Sequence, residues 1–320
     1  MTRASSSLRR LSLLLFLGAI VSLSSASADE APAPLSVVVL GSGGPGAVGR
    51  AATSFLVLVD GTPKILVDAG PGSFTRLGET GLPINAVDTI LLTHLHADHA
   101  GELPGLVKAR AVAVRAPIRF RVFGPKGHAA GPDAAAFPAT SRLIDLLFGK
   151  QGAFGYLSDF SGHMDFSVKD LAATPHAGAR PEVILTENGL EIRAIAGHHR
   201  DAPAIIYRID YHGRSVTFSG DIDAKGWADL ETIGKGTDLL VFNSVVLDPP
   251  AAPPILYTLH TAPGDIGRIA QDIGTGKLLL AHLSPATDGN RSDVEASIRR
   301  SYAGPIVFAE DKARLDPPPP

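Results

Sequence analysis

The 320-residue chain contains no cysteine, which excludes disulfides, thiolate metal ligands, a cysteine nucleophile and a lipidated cysteine near the N-terminus. It also lacks a G-x-S-x-G elbow, the turn that presents a serine nucleophile in many hydrolases. Positive charge is not in surplus: 29 Lys and Arg stand against 32 Asp and Glu, a formal net charge of −3. A chain of that sign does not neutralise a phosphate backbone broadly, so nucleic acid is not the expected partner. A dinucleotide fingerprint is missing too. The loop Gly41-Ser42-Gly43-Gly44-Pro45-Gly46 follows the strand-like run Leu35 to Leu40, but leads into a second strand-like run, Ser54 to Val59, instead of a helix.

The stretch Leu11 to Leu23 is apolar and too short to span a bilayer comfortably. Arg3, Arg9 and Arg10 precede it and Ala26-Ser27-Ala28 follows, so residues 1–28 read as an export signal with a small-residue cleavage site. The expected mature protein starts at Asp29, is periplasmic or secreted, and has no membrane span. Arg9-Arg10 also fits a twin-arginine signal, although an ordinary basic n-region accounts for both residues. Losing three arginines moves the net charge to −6. An exported protein without disulfides needs a substantial core, and about 280 residues of 45% hydrophobic composition supply one. That composition is compatible with a monomer or a homo-oligomer.

The densest chemistry is Thr93-His94-Leu95-His96-Ala97-Asp98-His99, directly after the apolar run Thr89 to Leu92. If Ile90 to Leu92 is a buried strand, His94 and His96 project the same way from extended backbone, because side chains alternate with period two. A turn at Ala97 and a helix starting near Asp98 then swing Asp98 and His99 to a neighbouring position. One loop thus supplies two adjacent metal sites. Histidine nitrogen and carboxylate oxygen suit zinc, and also iron or manganese. Further candidates end later strand-like runs: His198-His199 after Leu190 to Ala196, Asp221 after Ser215 to Phe218, and His282 after Leu278 to Ala281. Asp68 ends another run and has the chemistry of a ligand itself; the favoured reading is an acceptor that orients a metal-bound histidine.

The H-x-H-x-D-H pattern after a hydrophobic strand resembles the metallo-β-lactamase superfamily, in its ribonuclease Z and arylsulfatase-like branch. The resemblance implies an α+β fold, the four-layer αβ/βα sandwich. It implies that His94, His96 and His199 bind one divalent ion, that Asp98, His99 and His282 bind a second, and that Asp221 bridges them. In similar proteins the ligand histidine lies four residues before the proline of a Pro-Ala-x-x-aromatic strand, so by the same resemblance Pro203-Ala204-Ile205-Ile206-Tyr207 implies His199 as the ligand, leaving His198 as a neighbouring or pocket residue. His260, in Leu259-His260-Thr261-Ala262-Pro263, is implied to face the reacting centre as a proton donor, with His198 the second candidate for that role.

Two such ions hold a bridging hydroxide and polarise an ester-like substrate. The implied function is an exported hydrolase acting on a small aryl sulfate or phosphodiester. A lactonase or β-lactamase, a tRNA-processing-like phosphodiesterase and a non-catalytic metal-binding protein are the alternatives. Residues 124–181, rich in Gly, Pro and Ala with a helix expected over Ser141 to Phe148 and the aromatics Phe154, Tyr156 and Phe160, read as a loosely ordered insertion that forms a lid or substrate wall, or whose aromatics pack it on the core. It carries no excess of Lys and Arg. The main domain is expected to end at Glu310, and residues 311–320, closing on four prolines, to be disordered.

Overall fold

The structure, a computed structural model, describes residues 33–318 except 47, 115, 132–134 and 201, with the backbone alone at 161. The proposed leader lies outside the described residues. The first half contributes β1 (Leu35–Gly41), β2 (Ser54–Val59), β3 (Thr62–Val67), β4 (Thr89–Leu91), β5 (Ile118–Pro125) and β6 (Met164–Leu171). The second contributes β7 (Glu182–Glu187), β8 (Leu190–His199), β9 (Ala202–Tyr211), β10 (Arg214–Phe218), β11 (Leu239–Asn243), β12 (Lys277–Ala281) and β13 (Ile306–Phe308). A last strand, β14 (Arg314–Leu315), returns to pair with β1. The two sheets therefore run β14-β1-β2-β3-β4-β5-β6 and β13-β12-β11-β10-β9-β8-β7. Each is antiparallel where hairpins join neighbours and parallel where helices make the crossovers.

Continuous apolar strands such as Leu35 to Leu40 need cover on both faces, and the pleat divides them. Val37, Val39, Phe55, Val57 and Val67 meet Tyr207, Ile209, Val216, Phe218 and Val241 in a core between the sheets. The alternate residues Val38, Leu40, Leu56, Leu58 and Leu92 face helices that include Leu103–Ala113 and Thr140–Phe148. On the second sheet Ile206, Leu240, Phe242, Leu278 and Leu280 pack against helices Trp227–Gly234, Pro263–Ile273 and Arg291–Arg299. This is the expected four-layer sandwich. Each fully buried Leu, Ile or Phe contributes about 1.5–3 kcal/mol, so a one-residue slip of any central strand is strongly disfavoured. The Tyr207 hydroxyl, buried between the sheets, donates to the Leu92 carbonyl at 3.0 Å and ties the layers together.

Three expectations need correction. The chain after Glu310 is not a free tail: β14 pairs with β1, and Asp311 accepts hydrogen bonds from the Ser42 and Ala51 amides and from Arg76. Its prolines follow the strand, and residues 319–320 lie outside the described residues. Residues 124–181 are not a loose insertion either. They contain the edge strand β6, and the helix expected over Ser141 to Phe148 is present as Thr140–Phe148, with Ile144 and Phe148 buried. Of the aromatic segment, Phe154 packs against the helix-side core while Tyr156 and Phe160 are exposed. Finally, the sequence from Glu102 to Arg110 reads as a helix interrupted by Pro104-Gly105, but the helix runs unbroken over Leu103–Ala113, because a proline in the first turn needs no amide partner. Among the described residues no helix is long and apolar enough to cross a membrane.

Candidate metal centre

Every side chain of the site leaves the C-terminal end of a strand or the loop before a helix. Asp68 follows β3 with a left-handed backbone, φ 57°. Thr93 and His94 follow β4, and the short helix Ala97–Ala100 carries Asp98 and His99 back over the strand end. His199 ends β8, Asp221 follows β10, and His282 follows β12 with φ 54°. Two glycines make the approach feasible. Gly220 has φ 58°, and a Cβ there would lie 2.9 Å from that of Thr93; a Cβ on Gly44 would lie 2.6 Å from His282 Nδ1. The glycine-rich loop is thus a close wall of the site.

The centre of the arrangement is one oxygen. Asp221 Oδ2 lies 3.4 Å from His282 Nε2, 3.7 Å from both His99 Nε2 and His199 Nε2, 3.8 Å from His260 Nδ1 and 4.0 Å from His94 Nε2. Asp98 Oδ2 approaches His282 Nε2 at 3.2 Å and His99 Nε2 at 3.8 Å. His96, half-buried, stands with its ring 4.6 Å from that of His94 and 5.1 Å from that of His199. Donor atoms close enough to share an ion occur in the groups His94/His96/His199, Asp98/His99/His282 and His94/His99/Asp221, and also His199/Asp221/His260. The structure therefore brings together all seven residues that the resemblance implies as ligands, and adds His260 at the same oxygen.

The surroundings fix which nitrogen faces inward. His99 Nδ1 donates to Asp68 Oδ2 at 2.8 Å, and Asp68 is itself held by the Thr93 amide and hydroxyl, each at 2.7 Å. His199 Nδ1 donates to the Leu259 carbonyl at 2.8 Å. Both rings are thereby left with Nε2 toward the centre, which is the ligand tautomer. His94 Nε2, His99 Nε2 and His260 Nδ1 are buried with no hydrogen-bond partner among the described atoms. Buried polar atoms without partners are costly, and ring nitrogens aimed at a shared carboxylate are what a cation satisfies.

Charge makes the same point. Burial opposes ionisation of Asp221, yet the neighbouring His282, His99 and His260 hold its carboxyl well below the usual range. Asp98 is held at about 2, against its own burial, by the His282 hydrogen bond and by His99. Burial and then the charge of His99 push His94 far down, whereas Asp68 and Asp221 lift His99 well above an ordinary imidazole despite its burial. Protons alone meet these opposed demands poorly. Divalent cations let both carboxylates stay ionised and both imidazoles stay neutral.

His198 is not brought to the centre. Adjacent residues on β8 point to opposite faces, and its Nδ1 binds Asp223 Oδ2 at 2.7 Å instead. Two contributors escaped the sequence reading. Asn243, at the end of β11, donates from Nδ2 to Asp221 Oδ1 at 2.6 Å, and Phe137 places its ring 5.9 Å from that of His96. Asn243 ends an apolar strand beside the one that delivers Asp221, and strand-end position was the signal available.

A family model described as the metallo-beta-lactamase superfamily matches residues 48–241, which include His94 to Asp221 and stop short of His260 and His282. Ribonuclease Z from Mycobacterium avium (strain 104) is 28% identical over 294 residues, spanning 88% of this chain and 98% of that protein. Ribonuclease Z from Mycolicibacterium paratuberculosis is 27% identical with the same coverage. Among solved structures, the metallo-beta-lactamase fold protein YhfI from Bacillus subtilis matches with a TM-score of 0.65 at 20% identity, over 88% of this chain and 99% of that one. The short form of human tRNase Z matches with 0.64 at 19% identity and the same coverage. At these identities the structures speak for the fold.

Proposed function

The chain belongs to the metallo-β-lactamase superfamily as a metal-dependent hydrolase of its ribonuclease Z-like branch, and from that premise we propose an exported enzyme that hydrolyses phosphodiester bonds in small substrates. The observation that carries the hydrolytic reading is the convergence of five histidine nitrogens within 4.0 Å of Asp221 Oδ2. The phosphodiester is favoured over the aryl sulfate because relatives matching along nearly their whole length are named ribonuclease Z.

His94, His96 and His199 would hold one ion and Asp98, His99 and His282 the other, with Asp221 between them. Two divalent ions, zinc by the donor set and manganese or iron as alternatives, would supply a hydroxide nucleophile and absorb negative charge developing on the phosphoryl oxygens. The chain's own residues do the rest. Asp68 and the Leu259 carbonyl keep protons on the outer nitrogens of His99 and His199, and Asn243 fixes the rotation of the Asp221 carboxylate. His260 is lowered to about 4 by burial and neighbouring histidines, so it is a neutral imidazole near pH 7 and carries a single proton. Beside the leaving oxygen such a neutral ring would offer a hydrogen bond, and would protonate the leaving group only after first taking up a proton itself.

Export rests on the leader-like residues 1–28, and the acidic balance favours a small substrate over tRNA. The relatives' name favours a second reading, cleavage of a tRNA precursor. Purified protein loaded with Zn²⁺, Mn²⁺ or Fe²⁺ is expected to hydrolyse bis(para-nitrophenyl) phosphate faster than an aryl sulfate, a lactone or a cephalosporin, and His96→Ala to abolish the activity. Cleavage of a tRNA precursor at lower concentration than any small ester would select the second reading. Retained metal with no turnover in any class would leave a metal-binding protein.

A further inference from the structure

A cleft of about 480 Å³ opens beside the metal centre, between the chain that leaves β5 and β6 on one side and the β8–β9 turn on the other. Lys126, His128, His198 and Arg200 line it, and no carboxylate does among the described lining residues. In a chain with more acidic than basic groups, the described lining residues are opposite in sign to the whole. The comparison within the molecule is direct. In another surface cleft, Arg50, Arg76 and Lys312 are paired with Asp288, Asp311 and Glu79, so its cations are neutralised. Lys126 and Arg200 are exposed and make no ion pair among the described residues.

The cleft is also built. Asp223, nearly buried behind the turn, accepts from His198 Nδ1 at 2.7 Å and from the Arg200 amide at 3.0 Å, and its own amide donates to the His198 carbonyl. One carboxylate thus fixes the imidazole and the left-handed residue that carries the guanidinium, φ 52°. His198 is spared from the metals and turned to this second task. The cleft lies one residue from the ligand His199 along β8, and the rings His128, Phe137 and His96 run from its opposite wall to the centre. Ala172, Ala173 and Pro203 give it an apolar side.

We propose that this cleft binds a second phosphate of the substrate, so that the protein prefers a phosphodiester whose sugar carries a further phosphate monoester. A guanidinium and an ammonium facing one cleft suit a phosphate dianion, which Arg takes through paired hydrogen bonds and Lys as a point charge. The apolar wall suits the sugar between the two phosphates. A volume in this range holds a nucleotide-sized group and not a folded RNA.

The inference names the substrate class for the activity proposed above and rests on that reading for its catalytic arm alone. The test uses a matched pair, thymidine 5′-(para-nitrophenyl phosphate) with and without a 3′-phosphate, together with calorimetric binding of thymidine 3′,5′-bisphosphate and of inorganic phosphate. In the wild-type protein the 3′-phosphorylated ester should show the lower KM. Lys126→Ala/Arg200→Ala should raise that KM, and weaken bisphosphate binding, by about tenfold. The 3′-hydroxyl ester should be unaffected, any inorganic phosphate held by the cleft should bind more weakly in the alanine pair, and the charge-preserving Lys126→Arg/Arg200→Lys should behave more like wild type. Equal KM values for the two esters, or equal effects of the alanine pair on both, would overturn the subsite while leaving the phosphodiesterase intact. No turnover of either ester, with bisphosphate binding still lost in the alanine pair, would refute the phosphodiesterase and keep the subsite.

Discussion

Asp68→Asn tests the metal centre without touching a ligand. The carboxylate is buried and accepts three hydrogen bonds, from the Thr93 amide, the Thr93 hydroxyl and His99 Nδ1, at 2.7, 2.7 and 2.8 Å. An amide has one acceptor oxygen, so one face of the group becomes a donor. If the NH₂ replaces Oδ2 it opposes the His99 Nδ1 proton; if it replaces Oδ1 it opposes the Thr93 amide. The first outcome drives the His99 proton to Nε2, the atom the ion needs. Partners of metal-bound histidines are worth about 10- to 100-fold in affinity, or roughly 1.4–2.8 kcal/mol, the same size as the cost of about 1–3 kcal/mol for a stranded buried donor. The ion of the Asp98/His99/His282 group should therefore bind about 10- to 100-fold more weakly. The ion of the His94/His96/His199 group should be nearly unchanged. Titration against a chromophoric chelator reads both affinities separately, and a thermal melt confirms the fold. Two ions held at wild-type affinity would refute the tautomer argument.

Asn243→Leu removes the hydrogen bond to Asp221 Oδ1 and should lower turnover at least about tenfold with both ions retained, measured by metal analysis and initial rates. His198→Ala should leave metal stoichiometry unchanged, since its ring binds Asp223 instead of the centre; loss of an ion would contradict the assignment of His199. In the metal-free protein, His260 is held at about 4 against an ordinary 6.5. The unfolded state then binds the extra proton between those values, so stability should fall as pH drops from 6.5 toward 4, by up to about 1.4 kcal/mol per pH unit. His260→Gln should flatten that part of a denaturation series. Truncation after Glu310 removes β14 and the Asp311 bonds to Ser42, Ala51 and Arg76, and should lower Tm by several degrees, at about 2–4 °C per kcal/mol for a domain of this size.

The centre was legible because its ligands are few, chemically distinctive and placed at the ends of apolar runs. His94 to His99 is one loop, and His199, Asp221 and His282 end runs that a period-two or continuous apolar pattern marks as strands. The hidden strands had no such mark. β6 lies in a segment whose Gly, Pro and Ala content suggests irregular chain, and it forms because β5 offers it a parallel edge over eight residues. β14 is two residues long and followed by proline, so only the unpaired side of β1 explains it. Asn243 and Phe137 act through neighbours far apart in sequence, Asp221 and His96, and composition carries no record of such pairs.

Strand direction explains why the site lies where it does. In the first sheet β1 and β3 run in one sense, with β4 parallel to β3; in the second β8 and β10 run in one sense, with β11 and β12 parallel to β10. The ends of those strands supply the glycine-rich loop, Asp68, Thr93 with His94, His199, Asp221, Asn243 and His282. The strands of opposite sense, β2 and β9 among them, deliver no proposed ligand from their ends. Asp60 and Tyr211 stand there instead and hydrogen-bond to each other across the sheets. Each half contributes part of the proposed ligand set, His94 to His99 from the first and His199, Asp221 and His282 from the second. The core that packs Phe55 and Val57 against Tyr207 and Phe218 is therefore also what brings the two sets to one oxygen. A cavity-forming change there, such as Phe218→Ala, acts on the metals through the distance between the sheets as well as through stability.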